Sequence, residues 1–274
     1  MAIPDITLND GHTIPQLGFG IYRVTGPDAQ RVVETAIEVG YRHFDGAALY
    51  DNEVELGRAI AASGIPREEF FVTTKLWRDH HGRTEPHAEI ARSLDRLGFD
   101  YVDLYLIHWP HPTLGKYLDT WLAFEEIRDQ GLARSIGVSN FRQEDLAVLV
   151  AESRTTPAVN QVELHPIFQQ GELRTFHRGL GIATEAWGPL GHGTYSVSDI
   201  PSLVTIGEAH GKSPQQVVIR WLLQEGVIVF PKSSTASRIA ENFDVFDFEL
   251  SEDELTVIRG LDEGRRIGYD PATA

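Results

Sequence analysis

Residues 102–108 read Val-Asp-Leu-Tyr-Leu-Ile-His, a short run that is apolar almost throughout and ends on a histidine. Strands that are buried on both faces, as in parallel sheets covered by helices, have this nearly continuous apolar composition. A strand with one wet face would alternate apolar and polar residues instead. The run therefore predicts a buried parallel strand in an α/β fold.

Short β-branched or aromatic runs of the same kind recur along the chain and alternate with longer amphipathic segments. The predicted strands are 17–21, 42–45, 70–74, 102–108, 135–138, 158–162, 182–186 and 227–230. The predicted helices lie near 28–39, 53–63, 85–97, 116–130, 142–152, 170–178, 214–225, 236–242 and 251–259. This alternation predicts an α/β (β/α)8 TIM barrel that occupies residues 1–274 as a single domain.

Two other patterns bear on the architecture. The turn Asn9-Asp10-Gly11 lies between two short apolar runs and predicts an N-terminal β-hairpin, which could plug the bottom of a barrel. The alternative fold, an open doubly wound sheet, usually has a glycine-rich turn after its first strand. The segment 18–23, Gly-Phe-Gly-Ile-Tyr-Arg, lacks the third glycine of that turn, which favours the barrel. A short tail follows the last predicted helix.

Composition excludes several classes of function. The net charge of −16 opposes binding to nucleic acid or to an anionic membrane surface, because both are negatively charged. The absence of cysteine removes disulfides, thiolate catalysis and cysteine-ligated metals. The first ten residues do not have the pattern of a secretory signal, and no apolar stretch reaches the length of a membrane span. We expect a cytoplasmic protein with no metal site, since the histidines lack metal-ligand spacing.

Polar residues follow several predicted strands at the end where barrels carry their active sites. Asp45 ends the second strand and Tyr50 comes five residues later, Lys75 follows the third strand, and His108 ends the fourth. The pKa of a tyrosine is ordinarily about 10, and a nearby ammonium group lowers it. An aspartate can hold that ammonium in place, and a histidine can orient a carbonyl oxygen. Together they could protonate a carbonyl oxygen during reduction.

Each of these four residues also has an ordinary structural interpretation. Asp45 could cap a helix, Tyr50 could be a half-buried aromatic residue, Lys75 could be a solvated loop residue, and His108 could be a core histidine. Taken singly, these interpretations are the more common ones. Their position after three successive strands favours the joint catalytic interpretation.

Three separated segments carry a resemblance to a known family. They are 40–53, GYRHFDGAALYDNE; 103–110, DLYLIHWP; and 230–233, FPKS, continued by Arg238, Glu241 and Asn242. In this order, from Leu8 to about Asp262, the chain resembles the aldo-keto reductases. Within that family it looks most similar to the bacterial 2,5-diketo-D-gluconic acid reductases, through the segments 135–140 (SIGVSN), 159–166 (VNQVELHP), 187–191 (WGPLG) and 242–248 (NFDVFDF).

The resemblance implies reduction of aldehyde and ketone carbonyls to alcohols by hydride transfer from NADPH. Tyr50 would be the general acid, Lys75 with Asp45 would tune it, and His108 would place the carbonyl. The substrate pocket would be formed by Tyr22, Trp77, His108 and Trp109. Aldo-keto reductases bind NADPH without a Rossmann domain, and the resemblance favours a monomer that acts on a small molecule.

The resemblance also implies which residues bind NADPH. Ser139, Asn140 and Gln161 would hold the nicotinamide carboxamide, and Trp187 would stack on the ring. An alternative for Asn140 is the N-cap of the following helix, with Gln143 three positions on. The full implied set is Gly20, Ile21, Tyr22, Asp45, Ser139, Asn140, Gln161, Trp187, Gly188, Leu190, Gly191, Phe230, Lys232, Ser233, Ser234, Arg238, Glu241 and Asn242.

The phosphate end of the cofactor can be argued from charge. Lys232, Ser233, Ser234 and Arg238 follow the last strand, and loops there are the usual phosphate site of this barrel. Since no carboxylate stands between Lys232 and Arg238 to bind a free ribose hydroxyl, we expect NADPH rather than NADH. Without the resemblance, a solvated loop with two basic residues explains the segment equally well.

Some positions depart from the family pattern. Gly46 stands where aldo-keto reductases usually have threonine, directly after Asp45. His192, Thr194, Tyr195 and the tail 265–270 also differ, so the sequence leaves the physiological carbonyl compound open. Two alternative functions remain at this point: an NADPH-binding sensor with negligible turnover, and a barrel lyase or isomerase that uses no nicotinamide.

Overall fold

Parallel strands in chain order form the centre of the protein, in a computed structural model that describes residues 3–273. An antiparallel hairpin comes first, made of β1 (Asp5–Thr7) and β2 (Thr13–Pro15). The parallel strands are β3 (Phe19–Gly20), β4 (His43–Asp45), β5 (Phe71–Leu76), β6 (Val102–Ile107), β7 (Ala133–Ser139), β8 (Val159–Glu163), β9 (Ala183–Trp187) and β10 (Ile228–Val229).

Helices connect these strands and cover their outer side. They are α1 (Ala29–Val39), α2 (Glu53–Ala62), α3 (Glu85–Leu97), α4 (Tyr117–Asp129), α5 (Gln143–Glu152), α6 (Gly171–Leu180), α7 (Pro201–His210), α8 (Pro214–Gln224), α9 (Ala236–Phe243) and α10 (Glu252–Arg259). Helices α8 and α10 begin with capping boxes, Ser213 with Gln216 and Ser251 with Glu254.

The sheet closes on itself. Strands β3 to β10 pair in parallel with their chain neighbours, and a parallel bridge between Leu17 and Val229 joins the first edge to the last. Across that seam the Gly18 N–H donates to the Val229 carbonyl at 3.0 Å. The predicted (β/α)8 barrel and its N-terminal hairpin are confirmed.

The barrel has an inner and an outer core. The inner core consists of Leu8, Ile14, Phe71, Leu104, Leu106, Ala158, Val159, Ile228 and Phe230. Because the hairpin region supplies Leu8 and Ile14 to this cluster, it plugs one end of the barrel, as expected. The outer core packs the strands against the helices, with Trp121 and Trp221 among its fully buried side chains.

Helix α7 is the element that the sequence analysis missed. It begins at Pro201 without a side-chain cap, and it contains β-branched residues and Gly207, all poor indicators of a helix. The structure explains the glycine: a Cβ at Gly207 would lie 2.4 Å from the Lys212 carbonyl oxygen. Close packing therefore requires a residue that weakens the helix signal.

Strand register decides which polar side chains meet inside the barrel. Gln161 on β8 pairs with Glu185 on β9, and Ser139 on β7 pairs with Gln161. Side chains alternate along a strand, so Asn160, next to Gln161, points outward and donates to His177 of α6 at 2.9 Å. The inward residues at the carboxyl ends of the strands are thereby collected at one rim.

Candidate active site

Lys75, Asp45 and Gly46 form the innermost part of the site. Lys75 lies near the end of β5 and its side chain has no exposed surface. Its Nζ donates to Asp45 Oδ1 at 2.7 Å and to the Gly46 carbonyl oxygen at 2.7 Å. The interpretations of Lys75 as a solvated residue and of Asp45 as a helix cap are therefore wrong, because both are buried and bonded to each other.

Tyr50 stands directly over this pair, on a single 3₁₀ turn that follows β4. Its ring centroid lies 5.2 Å from Lys75 Nζ and 5.7 Å from the His108 ring, which it meets edge-on. The Tyr22 ring packs on its other side at 5.0 Å. The structure thus brings together Tyr50, Lys75, Asp45 and His108, the four residues that the sequence analysis singled out.

The electrostatics of the site differ from the expectation in one respect. Burial, followed by the charge of Asp45 and the proximity of Tyr22, raises the pKa of Tyr50 well above its ordinary value. The expected lowering of this pKa is not the net result: burial and Asp45 outweigh the effect of the Lys75 ammonium, which is engaged by Asp45 and Gly46. Tyr50 is consequently a phenol at neutral pH, which is the state a proton donor needs.

His108 is held as a neutral imidazole. Its side chain is 7% exposed, and burial together with the positive charge of Lys75 lowers its pKa well below the ordinary histidine value. Asn140 Nδ2 donates to the His108 carbonyl oxygen at 3.1 Å, and Trp77 packs edge-on against the ring at 5.3 Å. A neutral ring can donate one N–H to a carbonyl oxygen without carrying charge.

A second group of residues meets beside the first. Trp187 Nε1 donates to Asn140 Oδ1 at 2.8 Å, Asn140 Nδ2 donates to Ser139 Oγ at 3.0 Å, and Ser139 Oγ donates to the Gln161 carbonyl oxygen at 2.9 Å. These are the residues that the resemblance assigned to the nicotinamide. The alternative for Asn140 is wrong, because the N-cap of α5 is Arg142.

Gln161 connects the two groups through its side-chain amide. Its Nε2 donates to Asp45 Oδ1 at 2.8 Å and to Glu185 Oε2 at 2.9 Å. Glu185 was not among the predicted site residues. A usable signal existed, since Glu185 lies two residues before Trp187 on the same strand and therefore faces the same way.

The rim also carries cations. Lys232 and Arg23 are close enough that the Arg23 charge, after burial, lowers the pKa of Lys232. Neither makes an ion pair with a carboxylate within residues 3–273; Arg23 lies over the Tyr22 ring and Lys232 contacts Ser234. Arg23 was missed by the sequence analysis, although it follows Tyr22 in the first rim loop. In a chain of net charge −16, two cations without an ion-pair partner among the described residues fit a phosphate-bearing ligand.

The other predicted NADPH residues of this region lie at the end of β3, in the loop after β10 and on α9. Gly20 borders β10, where its N–H donates to the Pro231 carbonyl oxygen at 3.4 Å. Ser233 is buried and its Oγ accepts a hydrogen bond from the Thr235 N–H at 3.0 Å. Helix α9, which starts shortly after that loop, carries Arg238, Glu241 and Asn242. The Phe230 ring points elsewhere, into the inner core against His43, so only its backbone reaches the rim.

The loop after β9 crosses the mouth of the barrel. Gly188 and Gly191 have positive φ angles of 66° and 88°, and the Gly191 N–H closes a turn onto the Gly188 carbonyl oxygen. Leu190 packs against the outer core. His192 stacks on Tyr22 at 5.5 Å, nearly parallel to it. The loop therefore reaches from one side of the mouth to the other.

The aromatic residues predicted for the substrate pocket differ in exposure. Tyr22 is 36% exposed and Trp109 only 9%, and Trp77 lies between His108 and His111. Ile21 is buried beneath Tyr22 and its carbonyl oxygen accepts a hydrogen bond from Asn52. The rings of Tyr22, Tyr50, His108 and Trp77 form a continuous series of edge contacts.

The C-terminal tail is fastened to the same rim by Glu163. Its Oε1 accepts from the Ile267 N–H at 2.6 Å and its Oε2 from the Gly268 N–H at 3.0 Å. Gly268 lies so close to Trp187 that a Cβ there would be 2.5 Å from the indole ring. The tail thus contacts a residue of the candidate site.

Within residues 3–273, no group of three or more His, Cys, Asp or Glu residues could hold a metal ion. Over the same range, none of the helices is both long and apolar enough for a membrane span.

The chain is similar to known proteins over nearly all its length. The sequence profile described as the "Aldo/keto reductase family" matches residues 16–263. An aldo-keto reductase of Mycolicibacterium smegmatis is 54% identical over 270 residues, covering 98% of each chain. The methylglyoxal reductase DkgA of Escherichia coli is 46% identical over 272 residues, 99% of this chain and 98% of DkgA. Among solved structures, a Gox0644 mutant in complex with NADPH has a TM-score of 0.95 at 44% identity, covering 100% of this chain and 99% of that one.

Proposed function

This chain belongs to the aldo/keto reductase family, and from that premise we propose that Tyr50 is the proton donor in its reduction of small carbonyl compounds. Family membership makes the chain an NADP-dependent oxidoreductase that acts on carbonyl groups. The residues that carry the reaction, the substrate and the assembly state are part of the proposal.

The observation that carries the proposal is the meeting of Tyr50, Lys75, Asp45 and His108 at one rim of the barrel. A neutral phenol and a neutral imidazole stand side by side above a buried ammonium–carboxylate pair. No simpler role explains why a fully buried lysine lies under a tyrosine whose pKa is raised. Buried charge is expensive, so such an arrangement is typical of a functional site.

The roles follow from the charge states. NADPH, when bound, supplies a hydride to the carbonyl carbon. Negative charge then grows on the carbonyl oxygen, and Tyr50 donates its proton there. Lys75, held by Asp45, stabilises the phenolate that Tyr50 leaves behind, so the ammonium acts on the product state of the proton transfer. His108 donates an N–H that fixes the carbonyl oxygen near Tyr50.

The residues at the rim fit the two ends of NADPH. Ser139, Asn140 and Gln161 offer amide and hydroxyl groups that suit a carboxamide, and Trp187 offers a flat apolar face beside them. At the other end Lys232 and Arg23, which have no ion-pair partner in the part of the chain that the structure describes, supply positive charge for phosphate oxygens. We assign Gly20, Ser233, Ser234, Arg238, Glu241 and Asn242 to the adenosine-phosphate side: Gly20 and Ser234 lie beside Lys232, and the others belong to the segment that follows it.

The substrate that we propose is a small carbonyl compound, with α-dicarbonyl compounds first. The relative DkgA is named a methylglyoxal reductase, which supports this choice. The rings of Tyr22 and Trp77 lie against Tyr50 and His108, and this aromatic lining, to which we add Trp109, suits a compact substrate. The sensor alternative has no support, since all four candidate catalytic residues are in place.

We also propose that the whole chain forms one domain, acts as a monomer and works in the cytoplasm. The barrel is closed by its own strands, and the inner and outer cores are built within this chain. Sedimentation of the purified protein would test the monomer directly.

The test of the proposed function compares Tyr50→Phe with wild type on methylglyoxal, α-diketones, keto sugar acids and simple aldehydes. We expect turnover, followed as loss of NADPH absorbance, to fall by about a thousandfold, because general acid catalysis typically contributes 10²- to 10⁴-fold. NADPH binding, followed by tryptophan fluorescence, should stay within about twofold.

Tyr101→Phe is the matched control for this experiment. Tyr101 lies between Arg67 and Arg134, away from the rim, and loses only a hydroxyl in the same way. It should keep wild-type turnover. Full activity in Tyr50→Phe would remove Tyr50 as the proton donor, and tight NADPH binding without turnover of any compound by wild type would revive the sensor.

A further inference from the structure

Glu185 is a buried carboxyl group that the proposed reaction does not use. It lies on β9 with 0% exposure, paired in register with Gln161. Its Oε2 accepts a hydrogen bond from Gln161 Nε2 at 2.9 Å, and its Oε1 has no hydrogen-bond partner within residues 3–273. An ionised carboxylate needs hydrogen-bond donors at both oxygens when water is excluded, and Oε1 has none within residues 3–273. The geometry therefore disfavours the ionised form of Glu185.

Charge balance around Gln161 gives the same answer. One Gln161 nitrogen donates to both Asp45 and Glu185, so a single amide bridges two carboxyl groups. The nearby ammonium of Lys75 bonds to Asp45 and to the Gly46 carbonyl oxygen. If both carboxyl groups were ionised, one negative charge would remain uncompensated in the barrel interior, which is costly.

The pKa of Glu185 agrees with this balance. Burial, and after it the charge of Asp45, raises the pKa of Glu185 to about 8. The charged group that faces Glu185 from β4 is Asp45, and the one from β5 is Lys75. Strand β8 contributes Gln161 and β10 contributes Ile228, neither of which titrates. At neutral pH the proton thus stays on Glu185 and the negative charge on Asp45.

We propose that Glu185 is a positioning residue that turns the Gln161 N–H groups into the barrel and so leaves the Gln161 oxygen for the nicotinamide carboxamide. The negative charge of Glu185 also raises the pH at which carbonyl reduction is lost. The inference deepens the proposed function and rests on it, because Gln161 is there assigned to the nicotinamide. Glu185 acts through Gln161 and Asp45 and does not touch the reacting atoms.

The sign of the pH effect follows from electrostatics. Reduction needs Tyr50 protonated, so activity is lost as pH rises through the Tyr50 pKa. In wild type, Glu185 ionises first, near pH 8, and adds a negative charge beside the Asp45–Lys75 pair. That charge disfavours the phenolate and keeps Tyr50 protonated to higher pH. A variant that cannot ionise at position 185 should lose reduction at lower pH than wild type.

The first experiment measures the pH profile of kcat/KM for carbonyl reduction in wild type and Glu185→Gln. We expect the alkaline limb of Glu185→Gln to lie roughly half a unit to one unit lower. Glu208→Gln is the control, because Glu208 is an exposed glutamate on α7; its profile should superimpose on wild type. Superimposed profiles of wild type and Glu185→Gln would overturn the proposal.

The second experiment needs neither cofactor nor turnover. Infrared difference spectra of wild type against Glu185→Gln should show a carboxylic acid C=O band at pH 7 that disappears as pH rises through about 8. The same difference for Glu208→Gln should lack the band. An ionised Glu185 at pH 7 would overturn the proposal whatever the kinetics show.

The third measurement separates positioning from charge. Glu185→Leu removes the acceptor that holds Gln161 and should weaken NADPH binding by about five- to tenfold, the effect of one lost hydrogen bond. Glu185→Gln keeps an acceptor and should bind NADPH within about twofold of wild type. Equal affinities of Glu185→Leu and wild type would overturn the positioning role. If wild type reduced no carbonyl compound, the proposed function would fail, while the infrared and binding results would still decide the role of Glu185.

Discussion

The two ends of the barrel differ in whether their charged side chains have partners of opposite charge among the described residues. At the amino-terminal ends of the strands, Asp103 on β6 is 3% exposed and accepts hydrogen bonds from Arg67 Nη2 at 2.7 Å, the Val72 N–H at 2.9 Å and Arg134 Nη1 at 3.2 Å. At the carboxyl-terminal ends, Lys232 and Arg23 lie close enough for the Arg23 charge to lower the pKa of Lys232, and neither makes an ion pair with an acid in the described part of the chain.

One end of the barrel therefore stabilises the fold, and the other end is prepared for a ligand. A buried carboxylate with three donors is complete and holds β5 and β6 together with their loops. Two like charges at an open rim oppose folding slightly and are useful only when a negative group arrives. Conservative changes at the two ends should therefore affect different measurements.

The largest effect on stability is expected at the closed end. Asp103→Asn removes the charge that compensates Arg67 and Arg134 and should lower the free energy of unfolding by about 3–5 kcal/mol, as for other broken buried ion pairs. Turnover of the folded variant should stay near wild type. Urea unfolding measures the first quantity and NADPH consumption the second.

The control for Asp103→Asn is Glu249→Gln. Glu249 pairs with Arg220 on the surface and is 84% exposed, so its removal should cost no more than about 1 kcal/mol. Equal destabilisation by the two changes would contradict the picture of a closed, charge-paired end.

The next largest effect is expected on the pH dependence of stability, because one buried histidine is neutral. Burial lowers the pKa of His177 from 6.5 to about 4, while Asn160 donates to one ring nitrogen and the other contacts Thr184. The unfolded chain takes up this proton first as pH falls below 6.5, so stability is complete above that value and declines toward pH 4. The loss due to His177 should reach about 3 kcal/mol by pH 4.

Urea unfolding between pH 7 and pH 4 tests this expectation. His177→Gln should start from a lower stability at pH 7 and fall less steeply with acid than wild type. His43, whose pKa burial lowers to about 4, and His81, whose pKa burial lowers to about 3, contribute to the remaining slope. Parallel curves for wild type and His177→Gln would show that His177 does not titrate as described.

At the open end, the basic side chains Lys232 and Arg238, which follow the last strand, should matter for cofactor choice alone. Changing Lys232 and Arg238 to serine should raise the KM for NADPH by about ten- to a hundredfold, because charge-assisted hydrogen bonds to a phosphate are lost. The KM for NADH and the free energy of unfolding should change little. Equal rises in both Michaelis constants would argue against a phosphate site at these residues.

The smallest effect is expected where the tail meets the rim. Glu163→Gln keeps one good acceptor but weakens the hold on the Ile267 and Gly268 N–H groups. We expect trypsin to cleave after Arg265 or Arg266 a few times faster, and the carbonyl KM to rise a few-fold with kcat nearly unchanged. Unchanged proteolysis would mean that other contacts hold the tail.

The sequence predicted the fold well because each barrel strand carries its own signal. Short apolar runs such as 102–108, with amphipathic segments between them, specify strand, helix and their order locally. Helix α7 escaped because Gly207, which weakens its local signal, is required by contact with the Lys212 carbonyl. Local propensity and long-range packing conflict there, and packing prevails.

The candidate site divides in the same way. Tyr50, Lys75, Asp45 and His108 could be chosen from the chain alone, because strand ends of a barrel meet at one rim and the family motifs surround these residues. Arg23 and Glu185 escaped because their meaning depends on what lies opposite: Lys232 for the first, and the pair Gln161 and Asp45 for the second.

Local pattern and chain order were thus enough to predict the order of elements, the barrel, the family and the identity of the groups at the rim. The charge states of those groups depend on how the chain folds. Tyr50 is a phenol, His108 is neutral and the pKa of Glu185 is raised, because side chains distant in sequence exclude water and surround the single ammonium of Lys75. Burial and charge act through space, and the linear order of residues does not contain those distances.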